Sequence, residues 1–197
     1  RALAGHADYV FGVAFARCGR RVASASLDKT ARMWDLESGA TLHTLQGHTG
    51  YVRAVTCFDR GGGWVIVTAS ADKTARVWDL ESGAARRTLQ HPDWVRDVAC
   101  WGVAGGWVIV SGCRDNNAYV WDGESGAMRR TLAGHTGVVY SVACAGVAGG
   151  WIIASAGCND KTARLWDGES GAARQTFEGH TDWVEAVDCV VVAGELR

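Results

Sequence analysis

The sequence has little of what marks several large protein classes. It contains one proline, and its 20 Lys and Arg nearly balance its 21 Asp and Glu, which leaves a formal net charge of −1. A domain dedicated to nucleic acid would be expected to carry a basic excess or a basic stripe. No apolar run approaches the roughly 18 residues of a membrane-spanning helix, since even the run from Trp151 to Ala154 ends at Ser155. We therefore expect neither nucleic acid nor a membrane as a partner.

The cysteines also lack the pattern of a structural site. There are seven, an odd number, and no two are spaced as Cys-x-x-Cys, which argues against a complete disulfide framework and against a zinc ribbon. We expect no metal and no cofactor, and a reducing compartment, either the cytoplasm or the nucleus. The chain begins at Arg1 without a charged-then-apolar leader, so we expect it to be a fragment of a longer protein.

What the sequence has in excess is repetition. It holds 26 Gly and 10 Trp, and five of its His residues recur about every 43 residues, at His6, His48, His91, His135 and His180. Trp-Asp pairs keep the same period, at Trp34-Asp35, Trp78-Asp79, Trp121-Asp122 and Trp166-Asp167. A third marker follows each His at the same distance, at Phe15, Cys57, Cys100, Cys144 and Cys189. We expect these four cysteines to be small buried hydrophobes.

Each unit predicts four short strands. In the second unit, alternation and turn residues place strands over Tyr51–Cys57, Trp64–Ser70, Thr74–Asp79 and Ala84–Leu89. Four strands of this length form one antiparallel sheet, which cannot bury both of its faces alone. The units must therefore pack face to face around an axis, and the sequence predicts an all-β protein, a β-propeller with one four-stranded blade per unit.

The motifs of the first unit, Gly5-His6, Ser26 to Thr30 and Trp34-Asp35, recur in the others, and they resemble the WD-repeat family. The resemblance covers the whole chain as one propeller region, with units at about 5–46, 47–89, 90–133 and 134–178 and a partial unit at 179–197. It implies a binding platform without catalysis, usually a closed ring of seven blades. We expect four complete blades with partial strands at both ends, over Arg1–Leu3 and Trp183–Cys189, and favour an open arc of a larger propeller. A ring with few blades and association of copies are the alternatives.

Each unit also carries a His, a Ser or Thr, an Asp and a Trp at fixed offsets. A Ser, His and Asp could form a hydrolase triad, but a catalytic set is needed once and this one occurs four times. The family resemblance implies a structural hydrogen-bond network in each blade, and we expect no catalytic residue. The four sets are His6, Ser24, Asp28 and Trp34; His48, Thr68, Asp72 and Trp78; His91, Ser111, Asp115 and Trp121; and His135, Ser155, Asp160 and Trp166.

Some positions depart from the repeat. Gln90-His91-Pro92 replaces Gly-His-Thr in the third unit, which predicts a stiffer entry loop there. One more residue separates Ser155 from its turn Asp than in the other units, which predicts a β-bulge near Gly157-Cys158. The third and fourth units read Trp-Asp-Gly, so we expect looser outer hairpins. Arginines lie two residues before three of the Trp residues and are expected on a solvated face, at Arg32, Arg76 and Arg164.

The resemblance also implies a partner-binding rim, formed by residues near each His and before each turn Asp. Carried over by position, the rim holds Tyr9, Phe11, Tyr51, Arg53, Trp94, Arg96, Arg114, Tyr140, Asn159 and Trp183. Trp, Tyr and Arg are over-represented at protein-binding hot spots, although packing between blades is the alternative role for any one of these residues. Three of them are arginines in adjacent units, which favours an acidic or phosphorylated segment as the ligand.

Two functions follow from these observations. The first is a non-catalytic scaffold that binds peptides or protein partners on one rim. The alternative is the regulatory or substrate-recruiting portion of a larger enzyme whose catalytic domain lies outside this sequence. Because the end blades of an arc leave apolar faces uncovered, we also expect self-association through those faces.

Overall fold

The computed structural model describes residues 2–16, 20–189, 191–192 and 195–196. These residues form strands joined by turns, and no helix among them is long and apolar enough to cross a membrane. The strands are β1 (Val10–Ala16), β2 (Arg21–Ser26), β3 (Ala31–Asp35), β4 (Thr41–Leu45), β5 (Val52–Asp59), β6 (Trp64–Ser70), β7 (Thr74–Asp79), β8 (Ala85–Gln90), β9 (Val95–Val103), β10 (Gly106–Cys113), β11 (Ala118–Asp122), β12 (Met128–Leu132), β13 (Val139–Val147), β14 (Gly150–Gly157), β15 (Thr162–Asp167), β16 (Ala173–Phe177), β17 (Val191–Val192) and β18 (Glu195–Leu196).

Sixteen of these strands form four separate four-stranded sheets, each in the order of the chain: β1 to β4, β5 to β8, β9 to β12 and β13 to β16. Every pairing that the structure describes within them is antiparallel, for example Ile66 opposite Trp78 and Ala75 opposite Leu89. The two short strands β17 and β18 pair with each other. The all-β architecture and the four-stranded antiparallel blades predicted from the repeat are confirmed.

The second strand of each sheet is buried along nearly its whole length. In β6, Val65 to Ser70 are all buried, and the β-branched residues Val, Ile and Thr that fill it pack well on a pleated surface. The outer strand is different, because in β8 only Leu89 is buried. Each sheet therefore has a covered interior and one exposed edge strand.

The chain forms two compact units, Arg1–Val98 and Ala99–Arg197. In the first, one hydrophobic cluster joins two neighbouring sheets, since Trp78 of β7 belongs with Ala31, Met33 and Leu45 of β3 and β4. Apolar side chains buried from water contribute about 25 cal/mol per Å² of hidden area. Neighbouring blades thus hold each other together, as a sheet with two apolar faces requires.

The second unit repeats this arrangement with its own residues. Trp166 of β15 lies in one cluster with Ala118, Val120 and Leu132 of β11 and β12. In both units the third-strand Trp of one blade is therefore packed with the third and fourth strands of the blade before it. The Trp of the repeat has a packing role as well as a hydrogen-bonding one.

The expected partial strands are not formed. Residues 183–189 lie outside any strand, as do residues 2–3, while Arg1 lies outside the described residues. The first strand of a blade is hydrogen-bonded to the second strand of the same blade, as β13 is to β14. Residues 183–189 have no such pairing among the described strands. The entry segment of the fifth unit therefore has no sheet of its own, and only Val184 of residues 183–189 is buried.

The expected bulge is also placed differently. The β14–β15 ladder runs in register from Ile152 opposite Asp167 to Gly157 opposite Thr162. The additional residue of the fourth unit therefore lies in the turn beyond Gly157 and not in the strand. A turn accepts one more residue without disturbing a ladder, because its backbone is not held by strand pairing.

The outer hairpins of the third and fourth blades are packed and not loose. A Cβ atom on Gly123 would lie 2.2 Å from the ring of Trp107, and one on Gly168 would lie 2.1 Å from the ring of Trp151. Both glycines are buried. Glycine is present here because a tryptophan ring covers the backbone, so the expectation of greater looseness was wrong.

Candidate functional site

The first blade contains an unbroken chain of side-chain hydrogen bonds. His6 donates from Nδ1 to Asp28 Oδ2 at 2.8 Å, since a carboxylate can only accept. Its Nε2 then accepts from Ser24 Oγ at 2.7 Å, and Ser24 Oγ accepts from Trp34 Nε1 at 2.7 Å. One turn residue, one loop residue and two strand residues are thereby fixed to one another.

The second and fourth blades contain the same chain of bonds. His48 Nδ1 lies 2.7 Å from Asp72 Oδ2, and its Nε2 lies 2.8 Å from Thr68 Oγ1. The corresponding distances from His135 to Asp160 and Ser155 are 2.7 and 2.8 Å. The indole N–H of Trp78 donates to Thr68 at 2.9 Å, and that of Trp166 donates to Ser155 at 2.8 Å.

The turn aspartates are strongly stabilised as anions. Burial alone would raise the pKa of Asp72, but hydrogen bonds from His48, Thr74 and Thr49 outweigh it and hold this pKa well below its usual value. The pKa of Asp28 is lowered in the same way, against burial, by Thr30, His6 and Ala7. Burial also lowers the pKa of His135, although Asp160 opposes that shift. In the fourth blade the lowered pKa values of His135 and Asp160 favour a neutral ring beside a carboxylate.

This geometry is that of a scaffold. The hydroxyls of Ser24, Thr68 and Ser155 are buried, and each is engaged on one side by a histidine and on the other by an indole N–H. A nucleophile must reach an electrophile through an open face. These oxygens have no such face, so the Ser–His–Asp order stabilises the blade.

The third set of residues is arranged differently. Trp121 Nε1 donates to Ser111 Oγ at 2.9 Å as expected, but Asp115 Oδ2 accepts from the hydroxyl of Tyr119. Within the compact unit Arg1–Val98, His91 Nδ1 donates to the Leu89 carbonyl at 3.0 Å. Burial and the Asp115 carboxylate raise the pKa of Tyr119. Asp115 thus has Tyr119 as a hydrogen-bond partner, and Tyr119 stands where other repeat units have arginine. The bonds of His91 with Ser111 and Asp115 stay a prediction.

Those arginines are half-buried and do not lie on a solvated face. The guanidinium carbon of Arg32 lies 5.8 Å from the centre of the Trp34 ring, and that of Arg76 lies 6.0 Å from Trp78. The Nε atoms of Arg32, Arg76 and Arg164 are buried without a hydrogen-bond partner among the described residues. The guanidinium groups of Arg32 and Arg76 lie over the face of an indole. All three arginines are half-buried, so the surface assignment was wrong.

The glycine before each His makes room for this arginine. A Cβ atom would lie 2.6 Å from Arg32 Nη1 at Gly5, 2.6 Å from Arg76 Nη1 at Gly47 and 2.7 Å from Arg164 Nη1 at Gly134. The third unit has Gln90 in place of the glycine and Tyr119 in place of the arginine. This paired exchange in the sequence is the signal by which the buried arginines could have been found.

Rim residues of the first two blades, in the compact unit Arg1–Val98, form an exposed aromatic surface. Tyr9, Phe11 and Tyr51 are 75%, 41% and 43% exposed. The guanidinium of Arg53 stacks over the Phe11 ring at 4.3 Å, which links the first blade to the second. Backbone bonds from Leu27 to the Tyr9 carbonyl and from Ala71 to the Tyr51 carbonyl bring the turns to the same edge.

The remaining rim residues are more varied. Trp94 and Arg96, in the compact unit Arg1–Val98, are half-buried and both have interaction partners. In the compact unit Ala99–Arg197, Arg114 and Asn159 are exposed, Tyr140 is half-buried and Trp183 is 54% exposed. Cys158 donates its N–H to the Val138 carbonyl as Leu27 does to Tyr9, so Asn159 is the additional residue of its turn. The structure describes the two parts of the rim separately.

Among the described residues, no group of three or more His, Cys, Asp or Glu could hold a metal ion. None of the six cysteines that the structure describes is in a disulfide. The four repeat cysteines were expected to be buried, but Cys57, Cys100, Cys144 and Cys189 are half-buried, whereas Cys113 and Cys158 are buried.

Four stretches of the chain, residues 1–35, 39–79, 83–122 and 126–167, match the family described as WD domain, G-beta repeat. The chain belongs to the WD40 repeat family. WD40 repeats are generally non-catalytic and bind proteins, which agrees with buried hydroxyls that serve as hydrogen-bond links. Each matched stretch contains one Trp-Asp pair. The matches are offset from the sheets by one strand, since the stretch 39–79 contains β4 of the first sheet and β5 to β7 of the second.

Curated relatives share one part of this WD40 region. The chain is 47% identical over 55 residues to the "Probable E3 ubiquitin ligase complex SCF subunit sconB" of Arthroderma benhamiae. It is 44% identical over 55 residues to "Nuclear distribution protein nudF 1" of Talaromyces marneffei and 42% identical over 55 residues to "Dynein assembly factor with WD repeat domains 1" of Danio rerio. These matches cover 28% of the chain and between 8% and 13% of the relatives. The WD40 match therefore establishes the repeat and not the activity of a whole relative.

Proposed function

We propose that the chain is a non-catalytic scaffold that binds a peptide or protein partner on the rim of its compact unit Arg1–Val98. The observation that carries this proposal is the exposed surface of Tyr9, Phe11 and Tyr51 with the Arg53 guanidinium stacked among them. Aromatic rings supply a large contact area at low entropic cost, and Arg and Tyr are enriched at binding hot spots. WD40 domains bind proteins, which supports this role.

The chemistry of this surface favours an acidic or phosphorylated segment. Arg53 lies on the Phe11 ring, which supports the flat guanidinium and leaves its donors to a carboxylate or phosphate. No ion pair holds Arg53 among the described side chains. Arg96 and Arg114 already have interaction partners, so Arg53 is the main cation of this proposal.

Fluorescent peptides with and without a phosphoserine or a run of Glu test this proposal by anisotropy. We expect Arg53→Gln to weaken binding of the acidic peptides by about tenfold, and the loss to shrink at high salt. Arg20→Gln is the matched control, because Arg20 is exposed and bridges Glu37 in the same blade. Peptide binding that is unchanged in both Arg53→Gln and Tyr9→Ala would exclude this rim as the binding site.

A second candidate is the recruiting part of a larger enzyme assembly. The observation that favours it is the 47% identity to a protein whose name describes a subunit of an E3 ubiquitin ligase complex. In that role the rim would hold the substrate and another polypeptide would supply the chemistry. Purification of the natural full-length protein with its associated proteins, followed by a ubiquitin transfer assay, separates this role from that of a simple scaffold.

The cysteines favour a reducing location. None of the six described cysteines is in a disulfide, and thiols persist in the cytoplasm and nucleus. We place the protein in the cytoplasm, with the nucleus as the alternative, and fluorescence microscopy of the tagged natural protein tests this placement.

A further inference from the structure

Lysine occurs at one kind of position in this chain. The sequence holds three lysines, Lys29, Lys73 and Lys161, and each lies in the turn between the second and third strands of its blade, with φ values of 68°, 67° and 58°. The third blade has Asn116 there, with a φ of 73°. Asparagine is one of the few residues that tolerate this left-handed conformation. We call these four the turn residues of their blades.

Three of the four turn residues bind the loop that enters the next blade. Their acceptor is the backbone carbonyl of the residue that follows the next unit's His. Lys29 makes no such bond, because its side chain is exposed and has no hydrogen-bond or ion-pair partner among the described residues. The three bonds run from Lys73 Nζ to Pro92 at 3.1 Å, from Lys161 Nζ to Thr181 at 2.8 Å and from Asn116 Nδ2 to Thr136 at 3.5 Å.

The next residue of the entry loop explains why Lys29 is different. Lys29 faces Gly50, where a Cβ atom would lie 2.7 Å from the backbone nitrogen of Asp72. That position has no room for a carboxylate, which would attract an ammonium group. The other glycine at this position, Gly137, faces the neutral Asn116. The other two lysines face entry loops that continue with an aspartate, at Asp93 and Asp182.

Three carboxylates lie near Lys29, and none of them forms an ion pair with it among the described residues. The side chains of Asp28 and Asp72 are 9% and 5% exposed, and both are held by hydrogen bonds within the blades. Asp8 is exposed, and its carbonyl binds the Ser26 hydroxyl of the same turn. Asp8 is therefore the carboxylate that competes with an anionic ligand for Lys29.

Lys29 and Arg53 border the same exposed tyrosine. Lys73 shows the reach of a turn residue, since it binds the residue after the next His. The same reach from Lys29 ends at Thr49, two residues before Tyr51, which is 43% exposed. Arg53 follows two residues after Tyr51, and four residues of chain span at most about 13 Å. The compact unit Arg1–Val98 thus presents two cations, one on either side of an aromatic ring.

We propose that Lys29 is the second cation of the Arg53 surface, and that the two together select a phosphorylated segment of a partner protein over an acidic one. This inference rests on the function proposed above. A phosphoserine carries a charge of about −1.5 to −2 and three acceptor oxygens, so one such side chain interacts with both cations. A carboxylate offers them a single negative charge. Asp8 repels the same ligand and limits its affinity.

Fluorescence anisotropy of the full chain with labelled peptides tests the proposal. An array of peptides with random residues around a central phosphoserine or Glu supplies the tightest binder of each kind. We expect the phosphoserine peptide to bind at least about tenfold more tightly than the same peptide with Glu or Ser at its centre. Inorganic phosphate should compete only in the millimolar range. A free phosphate ion that binds as tightly as the peptide would overturn a protein segment as the ligand.

The Lys29→Asn variant removes the charge and keeps the turn, because Asn116 adopts nearly the same φ in the third blade. Lys73→Asn is its matched control, since Lys73 has the same turn position but is bonded to Pro92. We expect Lys29→Asn to weaken the phosphoserine peptide at least about tenfold and the Glu peptide about threefold, with the melting temperature unchanged. Lys73→Asn should leave both affinities unchanged, Lys29→Arg should retain the preference for phosphoserine, and Asp8→Asn should strengthen binding. Equal losses in the two lysine variants would overturn the proposal.

The outcomes separate this inference from the function on which it rests. If Arg53→Gln weakens binding and Lys29→Asn does not, the rim binds peptides and the second cation is refuted. Equal affinities for the phosphoserine and Glu peptides refute it in the same way. If no peptide of either kind binds at millimolar concentration, the rim itself is excluded and both proposals fail.

Discussion

The Asp72→Ala variant tests the energetic role of the networks most directly. The Asp72 carboxylate accepts from His48 Nδ1 at 2.7 Å, Thr49 N at 3.0 Å, Thr74 N at 2.9 Å and Thr74 Oγ1 at 2.6 Å. The side chain of His48 is fully buried and Thr74 is buried, so water cannot replace the carboxylate at these two donors. A buried donor without a partner costs about 1–3 kcal/mol. We expect Asp72→Ala to lower the free energy of unfolding by about 3 kcal/mol.

Urea unfolding followed by tryptophan fluorescence measures this loss as a shift of the midpoint. Asp79→Ala is the matched control in the same sheet. Asp79 also accepts several hydrogen bonds, from Glu81, Ser82 and Arg86, but its donors are exposed and water replaces the carboxylate. The control should lose about 1 kcal/mol or less. Equal losses for the two variants would refute the reasoning, because they would show that burial of the network has no energetic weight.

Three further outcomes are expected. The free energy of unfolding should fall from pH 7 to pH 5, because burial lowers the pKa of His135. As the pH decreases through the unfolded pKa near 6.5, the unfolded state binds the proton first and the folded state loses stability relative to it. His135→Gln should flatten that dependence in urea midpoints, and an unchanged slope would count against it. Gly168→Ala should lower the melting temperature, since its Cβ would lie 2.1 Å from the Trp151 ring, whereas Gly62→Ala, with nothing within 4 Å, should not. Neither the unchanged chain nor Ser24→Ala should hydrolyse p-nitrophenyl acetate, and turnover lost only in Ser24→Ala would contradict the structural role of the serine.

Much of the fold could be predicted because the repeat fixes a period, and the period fixes a sheet. The strand Thr74–Asp79 has the same bounds in the sequence and in the structure, since its turn residues and its Trp-Asp end are both local signals. The bonds of His48 with Asp72 and Thr68 follow from residue types whose donors and acceptors match. Structural features that depend on local sequence signals of this kind could therefore be predicted from the sequence.

The remainder depended on neighbours that a single repeat does not reveal. Arg76 reads as a surface residue in its own strand, and only the face of Trp78 and the space over Gly47 make a half-buried site for it. Tyr119 could not be assigned to Asp115 while the histidine was the expected partner. Residues 183–189 have the pattern of a first strand, but a strand needs a partner and the pattern alone does not supply one.

The glycines beneath tryptophan rings limit how repeat units can be recombined. In the third and fourth units a buried Trp and a Gly fill one space together, whereas the second unit fills it with the buried Leu80 beside a half-buried Trp64. A gene conversion that copied only Leu80 onto position 168 would overfill the space below Trp151, and the reverse copy would leave a void. Exchange between repeat units therefore keeps this packing only when the exchanged tract carries both residues.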